Sequence, residues 1–400
     1  MDEQPTSMTL PRRRDNQTWV LDYLVKATGR TVNFEQDGRA YPAEVKNARM
    51  IPRAMEKVGN RLETLARAAE EAGHTATALE LYWHGAQAFH DGQHQIFEDD
   101  HPVKIRLHDR LDACYDGVIR CAAYPIERIE VPWEGATISV LMHLLPDRRR
   151  APTVLYYPGM DGCKERFPEP FHNPVLGRGM HLLAIDGPGQ GVSNLRKLRV
   201  TDDNYERAGS AVLDYLETRP EVDAERIGIF GSSFGSLWGY RTAARDPRVK
   251  ACAAVAACYG DKRYIFEEAP IRFKQIFMYM AGMQDEATFD RLAARMTLQG
   301  YGPRITCASL VTGGEYDPLC PIWETEAFYE EIAGPKELWV LENEAHGAGN
   351  IRALGGMALH PFVLDWLRDA LVGGLPAGHD RRVTVSPASL APFGDRASAR

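Results

Sequence analysis

Gly231-Ser232-Ser233-Phe234-Gly235 fits the pattern G-x-S-x-G, and the apolar run 227–230, Ile-Gly-Ile-Phe, ends immediately before it. A buried strand that turns sharply into a helix lifts its turn residue above the sheet on strained backbone, and glycines flank it because side chains there would clash. Ser233 is therefore the candidate nucleophile. Glycine and serine also make ordinary turns, so the reading depends on what lies downstream.

A serine hydroxyl is a poor nucleophile until an imidazole takes its proton, and the imidazole needs a carboxylate to hold one tautomer. Both partners occur. The run 308–311 leads into Gly313-Gly314-Glu315-Tyr316-Asp317-Pro318, and the run 338–341 leads into Glu342-Asn343-Glu344-Ala345-His346-Gly347. Asp317 is the candidate acid, with Glu315 as fallback, and His346 is the candidate base. The order Ser, Asp, His is the order of the α/β-hydrolase fold. After the run 153–157 comes Pro158-Gly159-Met160-Asp161-Gly162, where that fold offers backbone N–H groups to a developing oxyanion. The N–H groups of Met160 and Phe234 are the expected oxyanion hole.

Apolar spacing changes along the chain. Between residues 50 and 122 it is helical, with Val58, Leu62, Leu65 and Ala69, then Leu79, Trp83, Ala86 and Phe89, then Ile105, Leu111, Tyr115 and Val118. From residue 129 onward, strand-like runs at 129–131, 138–145, 153–157, 182–185, 227–230 and 249–256 alternate with helical stretches such as 205–216 and 237–244. That alternation predicts an α/β architecture: a doubly wound, mostly parallel sheet behind an N-terminal helical domain. The segment 261–304 exceeds a simple connection and predicts a helical cap insertion. Its stripe of Phe273, Phe277 and Met280, near Tyr279 and Met283, is either pocket lining or packing surface, and packing is the commoner meaning. The expected division is a mobile end at 1–15, a helical domain at 16–125, core at 126–260, cap at 261–304, core at 305–373 and a mobile tail at 374–400.

Several function classes are disfavoured. A net charge of -8, from 47 basic and 55 acidic residues, argues against a nucleic-acid or anionic-membrane surface, which a basic face would favour. No apolar stretch reaches membrane-spanning length, and Arg12-Arg13-Arg14 is followed by polar residues, so the expectation is a cytoplasmic chain without a signal peptide. Seven cysteines without CxxC spacing predict reduced thiols and no zinc site. His90-Asp91-Gly92-Gln93-His94 resembles HExxH, but the glycine and the missing third ligand make it polar helix surface or pocket rim. Asp186-Gly187-Pro188-Gly189-Gln190-Gly191 departs from G-x-G-x-x-G and carries a proline, so it reads as a structural turn and implies no nicotinamide cofactor. No cofactor or metal is expected; the Ser, Asp, His order implies a small acyl molecule as partner, and a homodimer stays open.

The stretch Gly159-Met160-Asp161-Gly162-Cys163-Lys164-Glu165, the string Ile185 to Gly191, the elbow and the helical N-terminal region resemble the α/β-hydrolases similar to 2,6-dihydropseudooxynicotine hydrolase. These are related to FrsA-like esterases and to fungal hydrolases that shorten polyketide pigment precursors. The resemblance implies a serine hydrolase able to cleave a carbon-carbon bond next to a ketone, with the helical domain and cap closing over the site. It also implies an assisting glutamate near the start of the cap, which aligns with Glu268, Glu267 being the alternative.

Overall fold

The computed structural model describes residues 23–25, 31–33, 40–256, 258–391 and 393; the expected mobile end at 1–15 lies outside them. A small antiparallel sheet of β1 (Tyr23–Val25), β2 (Thr31–Asn33) and β3 (Ala40–Tyr41) precedes the helices, a feature the helical spacing did not announce. Three antiparallel-packed helices follow, α1 (Ile51–Glu71), α2 (Thr75–Gln93) and α3 (Pro102–Cys121). Leu79, Trp83, Ala86 and Phe89 of α2 are buried, as their spacing predicts. The face of α1 is rotated from the predicted one: Met55, Gly59 and Ala66 point inward, whereas Leu65 is 37% exposed, as is Ile105 of α3 at 40%. Glu63 takes an inward position because Arg67, at 2.6 Å, and Arg110 neutralise it there.

The main sheet contains β4 (Ile126–Trp133), β5 (Ala136–His143), β6 (Ala151–Tyr157), β7 (His181–Asp186), β8 (Val222–Ser232), β9 (Val249–Val255), β10 (Ala308–Gly314), β11 (Lys336–Leu341) and β12 (Asp380–Val385). Its order is β12-β11-β10-β9-β8-β6-β7-β5-β4, parallel throughout except for the antiparallel β7-β5-β4 edge. The strand β12 corrects the expectation of a mobile tail, since 380–385 pairs in parallel with 336–341 and covers the edge of β11. Its alternating Arg381, Val383 and Val385 supply the strand period that the surrounding Pro, Ser and Gly obscure.

Side-chain alternation assigns the two layers. Leu155, Tyr157, Ile227 and Ile229 pack with α5 (Asn204–Glu217), α6 (Phe234–Arg245) and α9 (Ile322–Glu331), while Val154, Tyr156 and Phe230 pack with α10 (His360–Gly373) on the other face. Within 261–304 lie a π-helical turn, Tyr264–Glu268, then α7 (Ile271–Ala281) and α8 (Glu286–Ala293), as a helical cap requires. Phe277 and Met280 are buried against Phe234, Phe266 and Phe289, so that stripe is mainly packing surface. Strand order reverses between β8 and β6, the crevice where open α/β sheets place their ligand sites. Among the described residues, no helix is long and apolar enough to cross a membrane.

One buried base in this framework sets an acid limit. His143, at the end of β5, is fully enclosed near Tyr124 and Tyr115, and burial pushes its imidazole down to about 3. The unfolded chain takes up this proton near its ordinary value of about 6.5, and the folded chain does not, so stability present above that pH is lost as pH falls. The expected slope from this group is about 1.4 kcal/mol per pH unit between about pH 6 and 4. Denaturant titrations at pH 7, 6 and 5 measure it, and His143→Gln is expected to flatten the decline.

Candidate active site

Ser233 sits at the turn between β8 and α6 with φ 50° and ψ -121°, a conformation that L-residues rarely adopt. Local packing enforces it. A Cβ on Gly235 would overlap the carbonyl oxygen of Tyr157, and one on Gly231 would lie 2.6 Å from the Gly235 oxygen, so both flanks must be glycine for the turn to close against β6. The Ser233 N–H donates to Val255 O at 2.9 Å, and Ser236 N–H donates back to Ser233 O at 2.8 Å.

The three residues predicted from their order along the chain meet in space. Ser233 Oγ lies 2.9 Å from His346 Nε2, and His346 Nδ1 lies 2.8 Å from Asp317 Oδ2. Asp317 is buried, and its other oxygen accepts from the N–H groups of Leu319 at 2.8 Å and Cys320 at 3.1 Å. With Oδ1 so occupied, Oδ2 is directed to the imidazole. The fallback Glu315 is turned away, accepting from Asn343 N–H at 2.9 Å and so bracing the turn before His346.

The Pro158–Gly162 loop packs on this turn: a Cβ on Gly159 would stand 3.4 Å from Ser233 Cβ. Gln190 Nε2 donates to Gly159 O at 2.7 Å, and Tyr205 OH donates to Gln190 Oε1 at 2.5 Å. The carbonyl of Gly159 and the N–H of Met160 belong to one planar trans peptide, so fixing the first fixes the second in the opposite direction. Phe234 is the first residue of α6, where an N–H has no intrahelical acceptor and carries the positive end of the helix dipole. The loop 186–191, read as structural, thus orients a candidate oxyanion donor.

Behind the loop is a buried ion cluster that the sequence reading left without a role. Lys164 Nζ lies 2.9 Å from Asp186 Oδ2 and 2.7 Å from Glu165 Oε1, all three side chains being at most 1% exposed. Burial pulls the Lys164 ammonium down, yet the two carboxylates outweigh it and hold it above its ordinary value. Burial likewise pushes Glu165 up, and Lys164 brings it below the usual carboxylate range. Asp186 also accepts from Lys164 N–H at 2.8 Å and Val192 N–H at 3.0 Å, and Gly191, at φ 42°, makes room for its carboxylate. Gln87 of α2 donates to Glu165 O at 2.9 Å, and Arg166 pairs with Asp91 at 2.9 Å, which ties the loop to the helical domain.

His90 and His94 are buried and line a pocket, so of the two expected settings, helix surface and pocket rim, the structure departs from the first and agrees with the second. Their places continue the inward spacing 79, 83, 86, 90 and 94, a signal available in the sequence. His90 Nδ1 faces Cys163 Sγ at 3.3 Å, and His94 Nε2 lies 2.9 Å from Asp161 Oδ2, with Arg272 of the cap 3.6 Å from the same oxygen. Among the described residues, no group of three or more His, Cys, Asp or Glu is arranged to hold a metal ion.

Glu268 differs from its expected setting. Its side chain is 58% exposed, 3.7 Å from Arg263, and Glu267 is paired with Lys274 at 3.0 Å. The π-helical turn buries Tyr264, Ile265 and Phe266; Glu268 is left exposed, while Glu267 is half-buried against Lys274.

The family described as Esterase FrsA-like matches residues 67–324. The 2,6-dihydropseudooxynicotine hydrolase of Paenarthrobacter nicotinovorans is 27% identical over 320 residues, 79% of this chain and 83% of that protein. The alpha/beta hydrolase psoB of Aspergillus fumigatus is 25% identical over 372 residues, 78% of this chain and 82% of its own. For the alpha/beta hydrolase xenA of Xenoacremonium sinensis, at 26% identity, the shares are 60% and 59%. A crystal structure of the 2,6-dihydroxy-pseudo-oxynicotine hydrolase superposes with a TM-score of 0.73 at 23% identity, over 90% of this chain and 97% of that chain, a likeness of fold.

Two substitutions test this arrangement. Lys164→Met strands two buried carboxylates and is expected to cost about 3–5 kcal/mol in chemical denaturation. Gly235→Ala is expected to cost about 3 kcal/mol or more and to abolish labelling of Ser233 by a fluorophosphonate, whereas Gly373→Ala, with open space around its Cα, leaves both unchanged.

Proposed function

As the chain belongs to the FrsA-like esterase family, we propose that it is a serine hydrolase that cleaves an acyl bond through an acyl-enzyme, with Ser233, His346 and Asp317 as its triad. The observation that carries the reading is the continuous relay of 2.9 Å from Ser233 Oγ to His346 Nε2 and 2.8 Å from Nδ1 to Asp317. Ser233 Oγ passes its proton to Nε2 and bonds to the substrate carbonyl carbon, while Asp317 stabilises the imidazolium. The oxygen of that carbonyl gains the electron pair and accepts hydrogen bonds from the N–H groups of Met160 and Phe234. When the pair returns, the bond to the leaving group breaks and His346 protonates that group. Water, deprotonated by His346, then adds to the acyl-enzyme and releases a carboxylic acid and free Ser233.

The favoured bond is a carbon-carbon bond next to a ketone in an aromatic or polyketide-type substrate. Support comes from the matches to a hydrolase named for 2,6-dihydropseudooxynicotine and to fungal alpha/beta hydrolases. A ketone expels a carbanion, so the leaving carbon must be delocalised into an aromatic ring or second carbonyl before His346 protonates it. Glu268, with its exposed side chain, has no step in this scheme. The esterase description of the family favours a second reading, ester hydrolysis, which shares the first tetrahedral intermediate.

Product analysis separates the two. The protein and Ser233→Ala are incubated with aryl β-diketones and matched aryl esters, and products are identified by chromatography with mass detection. The expected outcome is Ser233-dependent splitting of the diketone into an acid and a shortened aryl ketone, with at least a 1,000-fold lower rate in the variant. Turnover of esters alone assigns ester hydrolysis.

A further inference from the structure

A cavity of about 60 Å³ lies where α2, α3, the Pro158–Gly162 loop and the cap helix α7 converge. Its walls include Lys104 of α3, His90 and His94 of α2, Asp161 and Gly162 of the loop, and Tyr279 of α7. At ~30 Å³ per water, the space admits about two waters or one carboxylate group. Asp161 and Gly162 of its wall belong to the loop whose Gly159 packs on Ser233.

The charges around this space do not balance. Asp161 is shared by His94 at 2.9 Å and Arg272 at 3.6 Å. Asp99, in the connection between α2 and α3, is paired with Arg199. Lys104, 9% exposed, has no carboxylate within ion-pair distance among the described residues. Its ammonium donates to Ile96 O at 2.9 Å and Gln93 O at 3.4 Å and lies 4.8 Å from the centre of the Tyr279 ring, over which Arg199 also sits at 5.7 Å. Gln93 is the last residue of α2 and Ile96 lies three residues beyond it, so these two carbonyls take two of the three ammonium donors. When Lys104 is protonated, a third donor and a positive charge are left over, in a setting where an unpaired ammonium is costly.

From this geometry we infer that the cavity is a subsite for a carboxylate, with Lys104 as its principal ligand and Tyr279 as its wall. Its meaning for substrate choice rests on the acyl-transfer reading: the preferred substrate carries a carboxylate on the arm that passes the oxyanion loop toward the helical domain. Burial brings the empty-site ammonium down to about 7, with Asp99 opposing more weakly, so at pH 8 Lys104 is mostly neutral. A bound carboxylate favours the charged form, and its entry draws a proton from solution.

The test is calorimetry on Ser233→Ala at pH 8, in two buffers of different ionisation heat, with 3-benzoylpropanoate as probe and the neutral ketone butyrophenone as comparator. No turnover is involved, so its result is independent of whether Ser233 is the nucleophile. The expected result is that 3-benzoylpropanoate binds at least tenfold more tightly than butyrophenone and takes up close to one proton. Adding Lys104→Met removes the preference and the uptake; adding Lys104→Arg keeps the preference but not the uptake, which holds even if the methionine variant does not fold. Equal binding of the two probes, no binding of either at millimolar concentration, or an unchanged preference in the methionine variant overturns the inference and leaves Lys104 as a cap of α2.

Discussion

The Lys164 ammonium, shut away from water between Asp186 and Glu165, is the contact on which the site hangs. Asp186 ends β7, Glu165 is gripped through its backbone by α2, and Lys164 belongs to the segment that follows Met160. One cation therefore joins the sheet, the helical domain and the segment that follows the Pro158–Gly162 loop. Removing a partner from such a cluster is far costlier than the cluster's net contribution to stability, because it leaves a buried charge unmatched. The arrangement enforces position more than it adds stability. Arg128 of β4 extends it, standing 3.6 Å from Glu165 and 2.9 Å from Asp112 and Asp116 of α3.

From that anchor the reactive geometry follows by short steps. The loop held by Lys164 meets Gln190, itself held by Tyr205, and the Gly159–Met160 peptide is turned so that one N–H has a defined direction. Across the crevice, the elbow presses Gly235 onto the Tyr157–Pro158 backbone, so the N–H of Phe234 and the loop are parts of one packed unit. The cap joins through Phe277 and Phe266 on the Phe234 ring, at 4.7 Å and 6.3 Å between centroids, and through Arg272 on Asp161. Helical domain, loop and cap thus converge within a few residues of Ser233.

Much of this was legible before any coordinates. The apolar runs separated by turns marked strands β4 to β11, and the elbow, the Gly-Gly-x-x-Asp turn and the Ala-His pair lie at or just beyond the ends of three of them, which is why Ser233, Asp317 and His346 could be named from order alone. Missed features share a cause. Burial of Glu63 and Lys164 contradicts the usual placement of charged side chains, and each is tolerated with the help of a partner distant in sequence, Arg110 and Asp186. The strand β12 was hidden by its flanks, and its pairing needs β11 as a template. Glu268 was aligned by resemblance, but a π-helical turn decides which way a side chain points, and no spacing rule registers that turn.

The amino-acid order by itself determined the sheet-and-helix alternation, the elbow and the identity of the three residues of the relay, because each depends on local periodicity or on a turn that only glycine permits. Tertiary structure alone decided that His346 reaches Ser233 at 2.9 Å, that Lys164 is shared by two carboxylates and that Lys104 faces a cavity without a counter-ion. Most of these contacts join residues distant in sequence, 22 apart for Lys164 and Asp186 and 113 for Ser233 and His346. Their energies depend on distance and on exclusion of water, and neither exists until the chain has folded.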